Sequence, residues 1–239
     1  MRGTALAGGI ALLVFGVGGV AWFALETTAP RLGFEDTDSP AVMLAFLRAH
    51  PEVYGQACAV LLVMALALTV AVLAVHDALA PGRSSLALRS TTAFGLFSAG
   101  CFFLLGVVRG MVGPLLHIDR LDPAWGEAGY VVVQLVGTQL IAQGGTLALA
   151  IWIAGLAIFG IRTRRLPLAL CLFAAVPALR IAGIIGPLSL ASGASAEGAP
   201  DWLWIVFMAA IPGTMLWIVG LGLLLLLRGR RMMDEGAAS

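Results

Sequence analysis

Between Arg162 and Pro187 the chain sets a basic turn, Arg162-Thr163-Arg164-Arg165, directly before an apolar run that holds one charge, Arg180, and stops at Gly186-Pro187. An apolar run of that length is a membrane span, and short Arg-rich loops stay on the cytoplasmic side, so this one stretch supplies both a helix and its direction. Counting about 1.5 Å per helical residue from Leu166, Arg180 lies about 21 Å along the span, in the outer third of a hydrocarbon core about 30 Å thick.

The same pattern recurs along the chain. Apolar residues make up 60 % and charged residues 11 %, with a mean hydropathy of +1.00. Six runs separated by short polar turns predict an all-α polytopic membrane bundle of six transmembrane helices, forming a single domain over residues 1–239. The predicted spans are residues 5–25, 55–75, 90–112, 130–160, 166–186 and 202–227. The first is longer than a signal-peptide core and lacks a good small-x-small cleavage site, so it is read as retained. Within the acidic segment between spans 1 and 2, Ser39-Pro40 starts and Pro51 stops a short helix, expected at the outer interface or over the bundle.

Charge tests the topology. Arg2, Arg83, Arg89, Arg162, Arg164, Arg165, Arg228, Arg230 and Arg231 fall on one side, and Arg31, Arg48 and Arg120 on the other. Of the acidic residues only Asp77, Asp234 and Glu235 share the basic side. Both termini are therefore expected in the cytoplasm, and the protein in a bacterial cytoplasmic (inner) membrane. Trp22, Trp125, Tyr130, Trp202 and Trp204 sit where aromatic residues would meet the outer interface.

Several chemistries are excluded. All basic residues are Arg, so no lysine exists to form a Schiff base and retinal binding is ruled out. No Asp or His falls inside a predicted span, which removes an aspartyl protease, a Ser-His pair and a bis-His haem from the membrane core. Cys58, Cys101 and Cys171 have neither disulfide nor metal spacing. No phosphate-cradling Gly-x-x-x-x-Gly-Lys is present. The expectation is a non-enzyme with no catalytic residue, metal, cofactor or nucleic-acid partner. His50 and His117 with Asp119 are read as exposed loop residues rather than metal ligands.

Two arginines lie within spans, Arg109 and Arg180, each followed by Gly-Pro-Leu. Either can offset the carbonyls at a helix end and snorkel to the headgroups, or face protein and mark a site. Glu26, Gln134 and Thr138 are predicted at similar heights. Arg180, Arg109, Gln134, Thr138 and Glu26 are thus the candidate binding residues, in an outward-facing polar pocket suited to a small anionic or lipid-like ligand. Glu26 could equally neutralise one arginine in a structural pair. Span 1 (Ala5, Gly9, Gly16, Gly19) and span 4 (Gly137, Gly144, Ala148, Gly155) carry small-residue faces. Such faces admit a close helix, so a structural or accessory subunit contacting a membrane-protein partner is the competing expectation.

The stretches AFLRAHPEVYGQACAVLLV (residues 45–63) and WIAGLAIFGIRTRRLPLALCLFAA (residues 152–175) resemble a family of bacterial six-span membrane proteins described only as a domain of unknown function. The resemblance implies a six-helix bundle and brings no activity, cofactor or site residues. On shape alone the layout is also similar to the substrate-capture subunits of vitamin importers, with the helix between spans 1 and 2 as a lid.

Overall fold

The computed structural model describes residues 2–34, 39–80, 85–179 and 201–237, the side chains of residues 2, 138, 139, 201–209 and 229–237 excepted. Every regular element among them is helical. In chain order they are α1 (Arg2–Glu26), α2 (Thr28–Arg31), α3 (Pro40–Ala49), α4 (Pro51–Leu79), α5 (Leu86–Gly110), α6 (Val112–Leu121) and α7 (Pro123–Gln134). A π-helical segment, Leu135–Ala142, leads into α8 (Gln143–Thr163), followed by α9 (Leu168–Phe173) and α10 (Asp201–Ala237).

Among the described residues five helical stretches are long and apolar enough to cross a membrane: Gly3–Glu26, Pro51–Leu79, Leu86–Leu121, Pro123–Thr163 and Ala210–Arg228. The expected fifth span, 166–186, is described only as a shorter apolar helix, Leu168–Leu179. Its part from Arg180 on lies outside the described residues.

Glycine decides which helices touch. In lipid the surroundings are as apolar as the helices themselves, so close packing rather than water exclusion drives association. Gly8 and Gly18 of α1 face Ala74 and Met64 of α4, while Gly9, Gly16 and Gly19 face Leu226, Val219 and Met215 of α10. These pairs run in opposite senses, so α1 lies antiparallel to both neighbours. Gly95 against Val72 and Gly106 against Leu62 set α5 antiparallel to α4; Gly145 against Cys101 and Gly155 against Thr91 do the same for α8 and α5. The start of α1, the end of α8 and Arg228 of α10 therefore share one end of the bundle, the basic end. The small face expected to recruit a partner in span 1 is filled by the chain's own last helix. In span 4, Gly137 and Gly155 pack on α5, Ala148 is buried, and Gly144 meets open space.

The main core runs along α1, α4, α5, α8 and α10, with Phe15 edge-on to Phe102 and Trp152 edge-on to Trp217. The Trp217 indole donates to the Leu170 carbonyl (2.9 Å), which ties α9 to α10. At the opposite end, the Glu26 end, a smaller core gathers Ala29, Leu44, Phe46, Leu47, Val112 and Tyr130. The short helix expected between spans 1 and 2 is α3, and it buries Leu44, Phe46 and Leu47 over the bundle. Gly33, with φ +88, makes the left-handed turn that follows α2.

Two sequence expectations differ from the fold. The segment of His117 and Asp119, read as loop, is helical as α6. Pro114 falls in the first turn of α6, where its missing N–H costs nothing, and Asp122 caps α7 by accepting from the Ala124 N–H (3.0 Å), with Pro123 at the first helical position. Tyr130, expected in the aromatic belt, is buried in the smaller core, whereas Trp125 is exposed.

Candidate functional site

The last turns of α1 and α5 meet at the Glu26 end. Two threonines close α1: the Thr27 hydroxyl donates to the Phe23 and Ala24 carbonyls (both 3.1 Å), and the Thr28 hydroxyl to Ala24 (2.9 Å). The Phe23 carbonyl also accepts from the Thr27 N–H (3.1 Å), so the hydroxyls chiefly serve Ala24, in the last turn of a helix that ends at Glu26. Trp22 lies one turn earlier on the same face, and its indole N–H donates to Glu26 Oε1 (3.0 Å).

Arg109 occupies the last turn of α5, where its charge offsets the negative end of the helix. Its Nη1 donates to the same Glu26 Oε1 in an ion pair, and its guanidinium lies 5.9 Å from the centre of the Trp22 ring. That distance is within the range of cation–π attraction. The two charges are unequally placed. Arg109 is 4 % exposed, whereas the Glu26 side chain, at a helix end, is 33 % exposed. Glu26 is thus the member that can move.

Tyr54 and Cys58 of α4 and Tyr130 of α7 lie within electrostatic reach of Arg109 and Glu26. One turn past Tyr130, the Gln134 amide donates to its hydroxyl (2.5 Å). The π-helical segment begins at the next residue, and Gly137 within it packs against Leu105 and Val108 of α5. Segments of π-helix are rare and recur at functional sites, because the wider turn re-aims the side chains that follow it.

Of the predicted site residues, Glu26 and Arg109 are in direct contact, and Gln134 reaches the cluster through Tyr130. Thr138 lies in the π-helical segment with its side chain outside the described residues, as Arg180 lies wholly outside them. Sequence reasoning missed Trp22, Tyr54 and Tyr130 as members. The Trp22–Glu26 spacing of one helical turn was the available signal. It also missed a second ion pair at this end, Arg48 of α3 with the buried Asp119 of α6. Gly126 makes that pair fit: a Cβ there would approach the Asp119 Cβ to 2.2 Å. Among the described residues no group of three or more His, Cys, Asp or Glu gathers that could hold a metal.

Comparison with protein-family models, with curated proteins and with solved structures returns no match.

Proposed function

We propose that the chain is a multi-pass protein of a bacterial cytoplasmic membrane, with both termini in the cytoplasm, that binds a small anionic or lipid-like ligand at the Glu26 end. The observation that carries this reading is the unequal burial of the Arg109–Glu26 pair. A nearly buried arginine needs a counter-charge at all times, because an unpaired ion in low dielectric is costly. A carboxylate at a helix end can supply it while the site is empty and yield to a ligand carboxylate or phosphate. Trp22, Tyr54 and Tyr130 then offer the aromatic walls and hydroxyls that such a ligand would meet. The positive-inside distribution of arginine supports the orientation, and it turns the Glu26 end outward. Six spans, with Arg180 in the fifth, remain part of the proposal.

An accessory-subunit role is less favoured, because the small faces that suggested it are largely occupied within the chain. The discriminating experiment titrates the purified protein with short-chain carboxylates and with lysophosphatidic acid while following detergent melting. Glu26→Gln is expected to lower basal stability yet strengthen the stabilisation by anion, since it removes the internal competitor. Arg109→Gln is expected to abolish the response. A wild-type protein that shows no anion-dependent shift, with Glu26→Gln equally silent, would leave the pair as a structural tie and overturn the reading.

A further inference from the structure

At the opposite end of the bundle, arginines from distant parts of the chain converge on the turn between α8 and α9. Arg165 Nη1 donates to the Leu79 carbonyl (2.5 Å) at the end of α4, and Arg228 Nη2 of α10 donates to the Arg165 carbonyl (2.6 Å). Arg162 and Arg164 stand exposed on the same turn. Arg164 is the one described non-glycine residue with positive φ, 54°, at a C-cap position that usually takes glycine. Arg89 is exposed near the start of α5, which the Thr91–Gly155 contact sets alongside the last turns of α8. Among the described side chains the carboxylate at this end is that of Asp77, which is exposed. Two guanidinium groups are thus held in place by backbone carbonyls, which satisfy hydrogen bonds without neutralising charge.

Exposed apolar side chains continue directly from this turn: Ile161 on α8, Leu168 on α9 and Leu227 on α10. A ligand that satisfies both features carries a phosphate at the end of the helices and acyl chains along their sides. We infer that the turn between α8 and α9, with Arg228, forms a discrete binding site for an anionic glycerophospholipid. Its phosphate is placed by Arg162, Arg164 and Arg228, and its chains lie against Ile161, Leu168 and Leu227. The site is separate from the ligand reading at the Glu26 end and does not depend on it.

The test is native mass spectrometry of the full chain released from micelles doped with equal amounts of phosphatidylglycerol and phosphatidylcholine. Wild-type protein is expected to retain phosphatidylglycerol preferentially. The double substitution R162Q/R164Q is expected to reduce that retention by about five-fold per arginine, leaving phosphatidylcholine unchanged. Both side chains are exposed, so melting should be unaffected; if the double variant does not purify, Arg228→Gln reads the same loss. Arg48→Gln, at the other end, should keep the wild-type preference. Equal retention of the two lipids by wild type, or an unchanged preference in both variants of the turn, would overturn the site. So would loss of the preference in Arg48→Gln, which would make it a matter of net charge, or displacement by millimolar inorganic phosphate, which would make it a free-anion site.

Discussion

The two ends of this bundle are held together by different physics. From Gly8 near the basic end to Gly19, α1 is clamped between α4 and α10 by glycines, with backbone in near contact: a Cβ at Gly222 would stand 3.1 Å from the Gly9 carbonyl oxygen. No charge takes part in that contact. At the Glu26 end α2, α3, α6 and α7 contribute to a separate small core, and two ion pairs, Arg109–Glu26 and Arg48–Asp119, link helices there. A glycine seam tolerates one arrangement, because its attraction falls away as soon as the backbones separate. An ion pair tolerates several, since either partner can be exchanged for another charge or for water. The difference teaches where movement belongs: the glycine seam serves as the fixed part and the ion-paired end as the adjustable one.

The largest effect is expected from Glu26→Gln. It takes the counter-charge from a nearly buried guanidinium, and removing one member of a buried pair costs roughly 3–5 kcal/mol. Detergent melting should fall steeply. Arg109→Gln should cost less, because the Glu26 carboxylate it leaves behind is partly exposed and can hydrate. The double variant should recover part of the loss. If the two single variants prove equally damaging, the asymmetry on which ligand exchange depends is absent.

At the fixed end the matching experiment is Gly9→Val. A Cβ at Gly9 alone would sit 2.7 Å from Leu226 and 2.9 Å from the Gly222 carbonyl oxygen, and valine adds two methyl groups. Backbone cannot move aside as a flexible side chain can. A loss of about 3 kcal/mol is expected, at the upper end of overpacking costs. Unlike the loss at Glu26, no second substitution of a charged residue should restore it. Melting of Gly9→Val within a degree of wild type would show that the seam is looser than its contacts indicate.

How much of this was legible beforehand follows the same division. Five of the predicted spans and the small faces could be read from the sequence because apolar runs and glycine spacing are local patterns. Gly9, Gly16 and Gly19 announced a close helix, though nothing local said that it would be the chain's own last one. Arg109 and Glu26 were both singled out, because an ionisable residue within an apolar run is conspicuous. Their pairing was left open, since Glu26 could have served either arginine. The smaller core was largely missed. Asp119 beside it looks like loop, and only the contact of α3 with α6 and α7 shows why it is buried. The π-helical segment has no sequence signature in an apolar run, because changing the hydrogen-bond register leaves composition untouched.

Arg48→Gln probes how firmly α3 is fastened over the Glu26 end. Asp119 is 3 % exposed and would lose its charged partner, but Arg48 is partly exposed, so water can follow the change. A cost of about 2 kcal/mol is expected, in the range for a hydrogen bond to a charged group. Hydrogen exchange should rise in α3 and leave α1, α4 and α10 as they were. Exchange rising through the whole chain would mean that the two ends unfold as one unit and that the adjustable end is not separable from the fixed one.

The smallest effect belongs to a polar contact at the basic end. The Thr92 hydroxyl lies 2.8 Å from the Leu88 carbonyl and 2.7 Å from His76 Nδ1; with its single proton given to Leu88, it accepts from the ring. In that arrangement His76 is expected to carry its proton on Nδ1. Thr92→Val keeps the shape and removes the acceptor, leaving a half-buried imidazole N–H without this partner. A loss of about 1 kcal/mol is expected, typical of one hydrogen bond. Proton–nitrogen NMR of selectively labelled histidine would show the Nδ1–H signal of His76 in wild type and its shift in Thr92→Val. A neutral His76 protonated on Nε2 in wild type would mean that Thr92 donates to the ring instead of to Leu88. The contact would still join α4 to α5, but Thr92→Val would then leave the ring nitrogen without a donor instead of leaving an N–H without an acceptor.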